Sequence, residues 1–186
     1  MNTRLLIVML FLASSSLLAQ STSTPATTQS APIGKAKEDD VRSIDTILAA
    51  TYDVISGPAG KKRDWDRFRS LFYPGARLIP TGKRPNDTEV RARVLTPDDY
   101  VERSAPFLEK EGFFERGVSN NVEQFGNIAQ VFSTYESRHT AGDAQPFQRG
   151  INSFQLVNDG KRWWIMTIMW QAETPESPIP QEYLRK

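Results

Sequence analysis

Residues 161–171 read KRWWIMTIMWQ, almost unbroken apolar sequence in a chain whose mean hydropathy is −0.47. A β-strand sends alternate side chains to opposite faces of its sheet. Trp163, Ile165, Thr167 and Met169 then face one way, and Trp164, Met166, Ile168 and Trp170 the other. Both faces are apolar, so both must be kept from water. A chain carrying this strand needs a layer on one side of its sheet and a second cover on the other.

Three further strand-like segments precede it: FFERGVSNNVEQFG, NIAQVFSTYESRHT and FQRGINSFQLVNDG. Gly126-Asn127, AGDAQP and Asp159-Gly160 separate them. An Asp-Gly pair between alternating segments signals a two-residue hairpin loop. Asn158 then faces Lys161. Counting back, Leu156 pairs with Trp163, Phe154 with Ile165 and Asn152 with Thr167 on one face. On the other face Gln155 meets Trp164, Ser153 meets Met166, Ile151 meets Ile168 and Arg149 meets Trp170.

The first half of the chain is helical in texture. Val41, Ile44, Ile47, Leu48, Tyr52 and Ile55 recur at three- and four-residue steps, with Asp39 or Asp40 as the cap. A short second helix is expected in RDWDRFRSLFYPG, capped by Asp64 and stopped by Pro74 and Gly75. ARLIPTG reads as a short strand. TPDDYVERSAPFLEKEG reads as a third helix, with Thr96 as cap and Pro97 at its first position. Pro106 is expected to kink or shorten it. Helices followed by an antiparallel meander predict an α+β domain with helices on one face of a curved sheet.

Residues 1–20, MNTRLLIVMLFLASSSLLAQ, have one positive charge, Arg4, before the apolar run Leu5 to Ala13, and small residues at a cleavage-like site near Ala19. This is the pattern of a secretory signal peptide, and export to the periplasm or beyond is expected. The run is short for a membrane anchor. Residues 21–37 are Ser/Thr/Pro-rich and read as a linker. The domain is expected over 38–174, and the Pro-rich tail 175–186 is expected to be irregular. The chain has 23 Lys and Arg against 22 Asp and Glu and no Cys. Without its leader it is formally neutral, which argues against nucleic acid or an anionic membrane as the main partner. No disulfide supports the fold.

The segments DWDRFRSLFYPGARLIPTG and RGINSFQLVNDGKRWWIMTIMWQ, in this order of elements, resemble the nuclear transport factor 2-like (NTF2-like) superfamily. That superfamily includes the SnoaL-like cyclases and the ketosteroid isomerases. The resemblance spans roughly Asp39 to Glu173. It implies a cone-shaped barrel with an apolar pocket and, in many members, dimerisation through the outer face of the sheet. The pocket would then be lined by Asn152, Phe154, Trp163, Ile165, Thr167 and Met169, with Tyr52, Trp65 and Phe68 from the helices and Ile79 from the first strand. A second subunit would cover Arg149, Ile151, Ser153, Gln155, Trp164, Met166, Ile168 and Trp170. Aromatics, Met and Arg are enriched at such interfaces. The alternative cover is the tail, folding back with Ile179, Tyr183 and Leu184.

Ketosteroid isomerases use a carboxylate base on the first strand, with a Tyr and a protonated Asp as donors to the oxyanion. The resemblance places these roles at Ile79, Tyr52 and Asn152. Ile79 cannot abstract a proton, so that chemistry is not expected in that form. His139 is the single histidine, and no metal motif, phosphate loop or nucleophile elbow is present. No cofactor or metal is expected. Glu136 and His139 are weak catalytic candidates, since Glu136 and Arg138 read more simply as a charge network on the outer face. Trp65, Phe68, Phe107 and Phe132 read most simply as core.

The expected function is that of an exported, non-catalytic homodimeric module that binds an unidentified small hydrophobic molecule in its cone pocket. Two alternatives stay open. One is a SnoaL-like or isomerase-like enzyme using Asp53, Glu136 or another carboxylate, which requires a buried carboxyl of raised pKa inside the cone. The other is a protein-interaction domain with a filled cone.

Overall fold

The computed structural model describes residues 34–83 and 87–184. The expected signal peptide and residues 21–33 of the expected linker lie outside the described residues. Among those described, no helix is long and apolar enough to cross a membrane.

Ser43, and not Asp39 or Asp40, starts the main helix. Its hydroxyl accepts from Thr46 N at 3.2 Å, while Thr46 Oγ1 accepts from Ser43 N at 3.0 Å. This reciprocal capping box divides the expected helix into α1 (Glu38–Val41) and α2 (Ile44–Ile55). Asp40 instead takes both arms of Arg67, at 2.8 and 2.9 Å. That pair docks α1 onto α3 (Trp65–Ser70), whose N-cap is Asp64, as expected. Pro74 and Gly75 do not stop α3, which has already ended. They lie within β1 (Phe72–Gly82), a longer strand than the expected ARLIPTG. The helix α4 (Pro97–Glu111) has its own capping box, Thr96 with Asp99, and runs straight through Pro106. Pro106 and Glu102 are both exposed, so the carbonyl that loses its partner lies on the solvent side.

The remaining strands are β2 (Arg91–Ala92), β3 (Phe114–Phe125), β4 (Ile128–Arg138), β5 (Gln148–Asn158) and β6 (Trp163–Ala172). They form one sheet in the order β2-β1-β6-β5-β4-β3, in which β1 and β6 run parallel and every other pair antiparallel. Register irregularities in β1, β3 and β6 mark bulges, which bend strands and deepen sheet curvature. The concave side holds the core: Phe72, Leu78, Val131, Phe154, Leu156 and Ile165 against Ile47, Leu48 and Phe68 of the helices. Each such side chain contributes about 1.5–3 kcal/mol by leaving water.

The β5–β6 register differs from the one expected, for two physical reasons. The Asp159 carboxylate accepts from the N–H groups of both Lys161 and Arg162, at 2.9 Å each. It thereby draws those residues into the turn, and Asn158 pairs with Trp163. Met166 is then an extra residue between the Leu156–Ile165 and Gln155–Thr167 pairs. The bulge reverses the facing of everything after it. Ile168 and Trp170, expected outside, face inward opposite Phe154 and Asn152. Thr167 and Met169, expected on the pocket wall, face outward, and Ile79 lies beside Met169 on that same outer side.

The outer face is partly covered by the tail. Thr134 Oγ1 donates to the Tyr183 carbonyl at 2.6 Å, and the Tyr183 ring lies 5.6 Å from Phe132. Glu173 accepts from Arg149 Nε at 2.9 Å and from Ile179 N at 3.0 Å, anchoring the turn that starts the tail. Phe132 remains half-exposed beside the strap; beyond it Met169 and Ile128 are exposed, and Phe125 at the β3–β4 tip is 84% exposed. Phe132 and Phe107 are therefore surface residues, not the core residues that the sequence suggested.

At the wide end of the sheet, Arg63 ties the helices together. It is buried, and its guanidinium donates to the carbonyls of Ile55 (2.9 Å), Gly57 (2.7 Å) and Leu108 (2.9 Å), and to that of Lys61. Hydrogen bonds from a charged donor are each worth about 1.5–3 kcal/mol. They fix the end of α2 against the end of α4. A two-way backbone bridge between Gly57 and Phe113 then sets where β3 begins.

Candidate functional site

Between the helices and the concave side of the sheet lies a cavity of about 130 Å³. The helices contribute Thr51, Tyr52, Ile55, Phe68 and Tyr100 to its wall, and the sheet contributes Leu78, Tyr135, Phe154, Ile168 and Trp170. Phe113, Glu115, Gln148 and Asn152 complete it towards the wide end. A separate open cleft of about 480 Å³ lies between α2 and β3, and Tyr52 and Glu115 border both spaces.

Among the described residues, Glu115 is the one carboxyl group on the cavity wall. It stands opposite Ser137 in the β3–β4 ladder, and its backbone N–H donates to Ser56 Oγ at 2.9 Å, which pins the strand to the end of α2. Ser137 Oγ donates to Oε2 at 2.8 Å, and Asn152 Nδ2 approaches Oε1 at 3.5 Å. Neither partner is charged. Loss of water around the carboxylate outweighs these two hydrogen bonds and pushes the group from the ordinary 4.5 up to about 7.

Asn152 also donates to the Tyr52 hydroxyl at 3.2 Å. Tyr52 OH and Ser133 Oγ are 2.6 Å apart, and Ser133 Oγ donates to Asn120 Oδ1 at 2.7 Å. A serine hydroxyl has one hydrogen. Since Ser133 gives it to Asn120, Tyr52 is the donor to Ser133. The row thus runs one way, from Asn152 to Tyr52 to Ser133 to Asn120. Burial outweighs the opposing pull of these bonds and holds the Tyr52 hydroxyl well above the usual tyrosine range, so it stays protonated. The fold leaves room for this row by omission: a Cβ on Gly117 would come within 3.0 Å of the Tyr52 ring and 3.2 Å of Ser133 Oγ.

The residues expected at the pocket separate into three groups. Tyr52, Phe68, Asn152 and Phe154 lie on the cavity wall. Trp65 packs edge-on behind Phe68 at 5.6 Å, and Trp163 and Ile165 are buried in the core without bordering the cavity. Ile79, Thr167 and Met169 are on the far side of the sheet, and the inward residue at that level of β1 is Leu78, which cannot take a proton either. Of the residues expected on the outer face, Arg149, Ile151, Ser153, Gln155 and Trp164 stand on it, Met166 occupies the bulge, and Ile168 and Trp170 border the cavity.

The other carboxylate candidates are engaged elsewhere. Glu136 is on the outer face between Arg138 (2.9 Å) and Arg116 (3.2 Å). Partial burial opposes its charge, but the two arginines outweigh that and hold it below the ordinary range. Asp53 is exposed and pairs with Arg67. His139 is exposed and stacks on Phe147 with ring centres 4.2 Å apart. Among the described residues, no three His, Cys, Asp or Glu side chains come together to hold a metal ion. Sequence reasoning missed Glu115 and Tyr100, and left open whether the Tyr135 face of its strand points inward. Pairing of FERG with the inward-facing Ser137 and Tyr135 was the signal that could have located Glu115.

No protein-family model and no curated protein matches the chain. Among solved structures it is similar to a protein of unknown function with a cystatin-like fold from Nostoc punctiforme. Identity is 9%, 71% of this chain and 90% of that chain are covered, and the TM-score is 0.53. A Caulobacter vibrioides protein with a cystatin-like fold gives 12% identity, coverage of 72% and 89%, and a TM-score of 0.52. A Shewanella baltica protein described as NTF2-like gives 13%, 70% and 91%, and 0.45.

The raised Glu115 pKa has a consequence for stability. Below 4.5 the group is protonated in both the folded and the unfolded chain. Between 4.5 and about 7 the folded chain holds the proton longer, so this group's contribution falls as pH rises, by about 3 kcal/mol at most. Glu115→Gln should therefore gain stability relative to wild type between pH 5 and pH 8 in urea titrations. A wild-type-to-variant difference that is flat across that range would contradict the assigned environment.

At these identities the likeness shows the fold alone: helices laid into the concave side of a curved six-stranded sheet, the arrangement described as cystatin-like in the Nostoc and Caulobacter structures.

Proposed function

We propose that this NTF2-like domain binds a small, largely apolar molecule in the cone cavity and presents one ionisable group to it, Glu115. The observation that carries the reading is a cavity walled by aromatic and aliphatic side chains in which, among the described residues, a single carboxyl faces no cation. Pockets of this kind use a few polar groups to orient an otherwise apolar ligand. An engineered apolar cavity of about 150 Å³ takes benzene. The volume here, about 130 Å³, suits a ligand of one ring or less.

Catalysis is the second reading, and Glu115 itself favours it. A carboxyl titrating near neutrality is matched to proton transfer at pH 7. It occupies a different strand from the base position that the isomerase resemblance implied, since β1 offers only Leu78 inward and Ile79 outward.

Export and self-association belong to the same proposal. The leader pattern of residues 1–20 supports export. The exposed Met169 and Ile128, lying beyond the reach of the tail, support a second copy on the outer face. That area is rich in the residue types that interfaces favour.

Cyclohexanone, one ring in size, should show saturation transfer with the wild-type protein and none with Ile55→Phe, a variant that fills the cavity and should keep its circular dichroism spectrum. Equal binding by both proteins, or none by wild type, would count against the cavity as the site. Followed in D2O, the same sample separates the two readings. Exchange of the ketone's α-hydrogens accelerated by wild type but not by Glu115→Gln makes the site catalytic, and binding without acceleration makes it a binding site. For the second copy, Ile128→Glu with Met169→Glu should convert a dimer to a monomer by light scattering. A wild-type protein already monomeric at micromolar concentration removes that part of the proposal.

A further inference from the structure

The cavity combines two features that a neutral ligand does not use together. The first is a carboxyl without a counter-ion. Among the described residues, the Glu115 side chain accepts only from Ser137 and Asn152, both neutral. The nearby basic groups are committed elsewhere: Arg116 and Arg138 to Glu136, and Arg67 to Asp40 and Asp53. Taking a carboxylate out of water without a charged partner costs several kcal/mol. The second feature is the set of rings around it. Tyr52, Tyr100, Phe113, Tyr135 and Trp170 come from both helices and three parts of the sheet side of the chain. Aromatic rings attract cations through the negative potential of their faces, and sets of such rings recognise quaternary ammonium groups.

We propose that the cone cavity takes a small organic cation, an amine or methylated ammonium group, held between the Glu115 carboxylate and the surrounding aromatic rings. The inference rests on the cavity being a ligand site. A cation there supplies the counter-charge that the protein itself withholds. It needs little hydrogen bonding, which fits a wall whose polar groups are largely satisfied within the protein. Asn152 already donates to Tyr52, and Tyr52 to Ser133. An anion would meet the carboxylate with like charge, and a neutral ligand would leave the charge uncompensated. The size agrees, because about 130 Å³ accommodates a compact head group and excludes a multi-ring molecule.

The preference for a cation must follow the charge on Glu115. The titratable groups that face it are Tyr52 from α2, Tyr100 from α4 and Tyr135 from β4, and all three hydroxyls are held above the usual tyrosine range, first by burial. They remain neutral across the working pH. On the cleft side, Asp45 and Asp53 of α2 and Arg116 and Arg138 border the open space. Glu115 is thus the group on the cavity wall whose charge changes near neutrality.

The experiment compares tetramethylammonium with tert-butanol, a neutral molecule of nearly the same shape, by isothermal titration calorimetry. Wild type and Glu115→Gln are each measured at pH 8.5 and pH 5.5. The cation should bind wild type at least tenfold more tightly than the alcohol at pH 8.5. That preference should disappear at pH 5.5 and in Glu115→Gln at both pH values. Alcohol binding as tight as cation binding at pH 8.5, or cyclohexanone binding without cation binding, would overturn the cation proposal and leave the cavity as a site. Failure of all three probes would overturn the cavity reading with it. A cation preference that persists in Glu115→Gln would overturn the role given to the carboxylate.

Discussion

The side-chain amide of Asn152 is the joint on which the interior of this fold turns. One of its hydrogens goes to the Tyr52 hydroxyl on α2, and the other points to the Glu115 carboxylate on β3. Helix, central strand and edge strand are thereby held in one arrangement around the cavity. A buried polar network is stabilising only when its members are satisfied. This row meets that condition by passing donation outward through Ser133 to Asn120, beside the cleft. Glu115 is the member it satisfies least, and the chemistry of the site follows from that shortfall.

The concave and convex sides of the sheet divide the protein's work. Apolar side chains on the concave side close the core and the cavity, while the convex side mixes exposed apolar residues with the Arg116–Glu136–Arg138 and Arg149–Glu173 ion pairs. Single-residue insertions decide which side chain goes where. Without the Met166 bulge, Trp170 would stand outside and the cavity would lose the ring that packs edge-on against Tyr100 at 6.2 Å. The two apolar faces of KRWWIMTIMWQ are therefore not two uniform faces. The strand changes sides at its midpoint, and the tail crosses β4, two strands away, so Met169 on the outer side stays exposed.

Much of the architecture was legible in the sequence because local signals agreed with the global arrangement. Asp64 and Thr96 cap helices by short-range hydrogen bonds that a few residues specify, and the four strands of the meander are separated by Gly and Asp turns. The capping box at Ser43 was equally local but lay inside an apolar periodicity that continued across it. Facing after Met166 was not legible, because a bulge is set by tertiary curvature and leaves no mark in an apolar run. Glu115 was hidden for another reason. FERGVSNNVEQF is mostly polar, and its Phe114, Val118, Val122 and Phe125 do not recur at two-residue steps, so alternation could not say which side of the strand is dry. Only pairing with β4 turns Glu115 inward, opposite Ser137, and only the distant rings of α2 and α4 remove its water.

The central claim is that Glu115 is a carboxyl held inside the cone without a cation to stabilise its charge. Carbon-detected NMR of 13C-labelled glutamate side chains, with Glu115→Gln supplying the assignment, reads its titration directly. The account predicts a midpoint of about 7, shifted downward when a cationic ligand is bound. A midpoint at or below the ordinary 4.5 in the free protein would mean that the carboxyl is hydrated or paired, and would contradict the account.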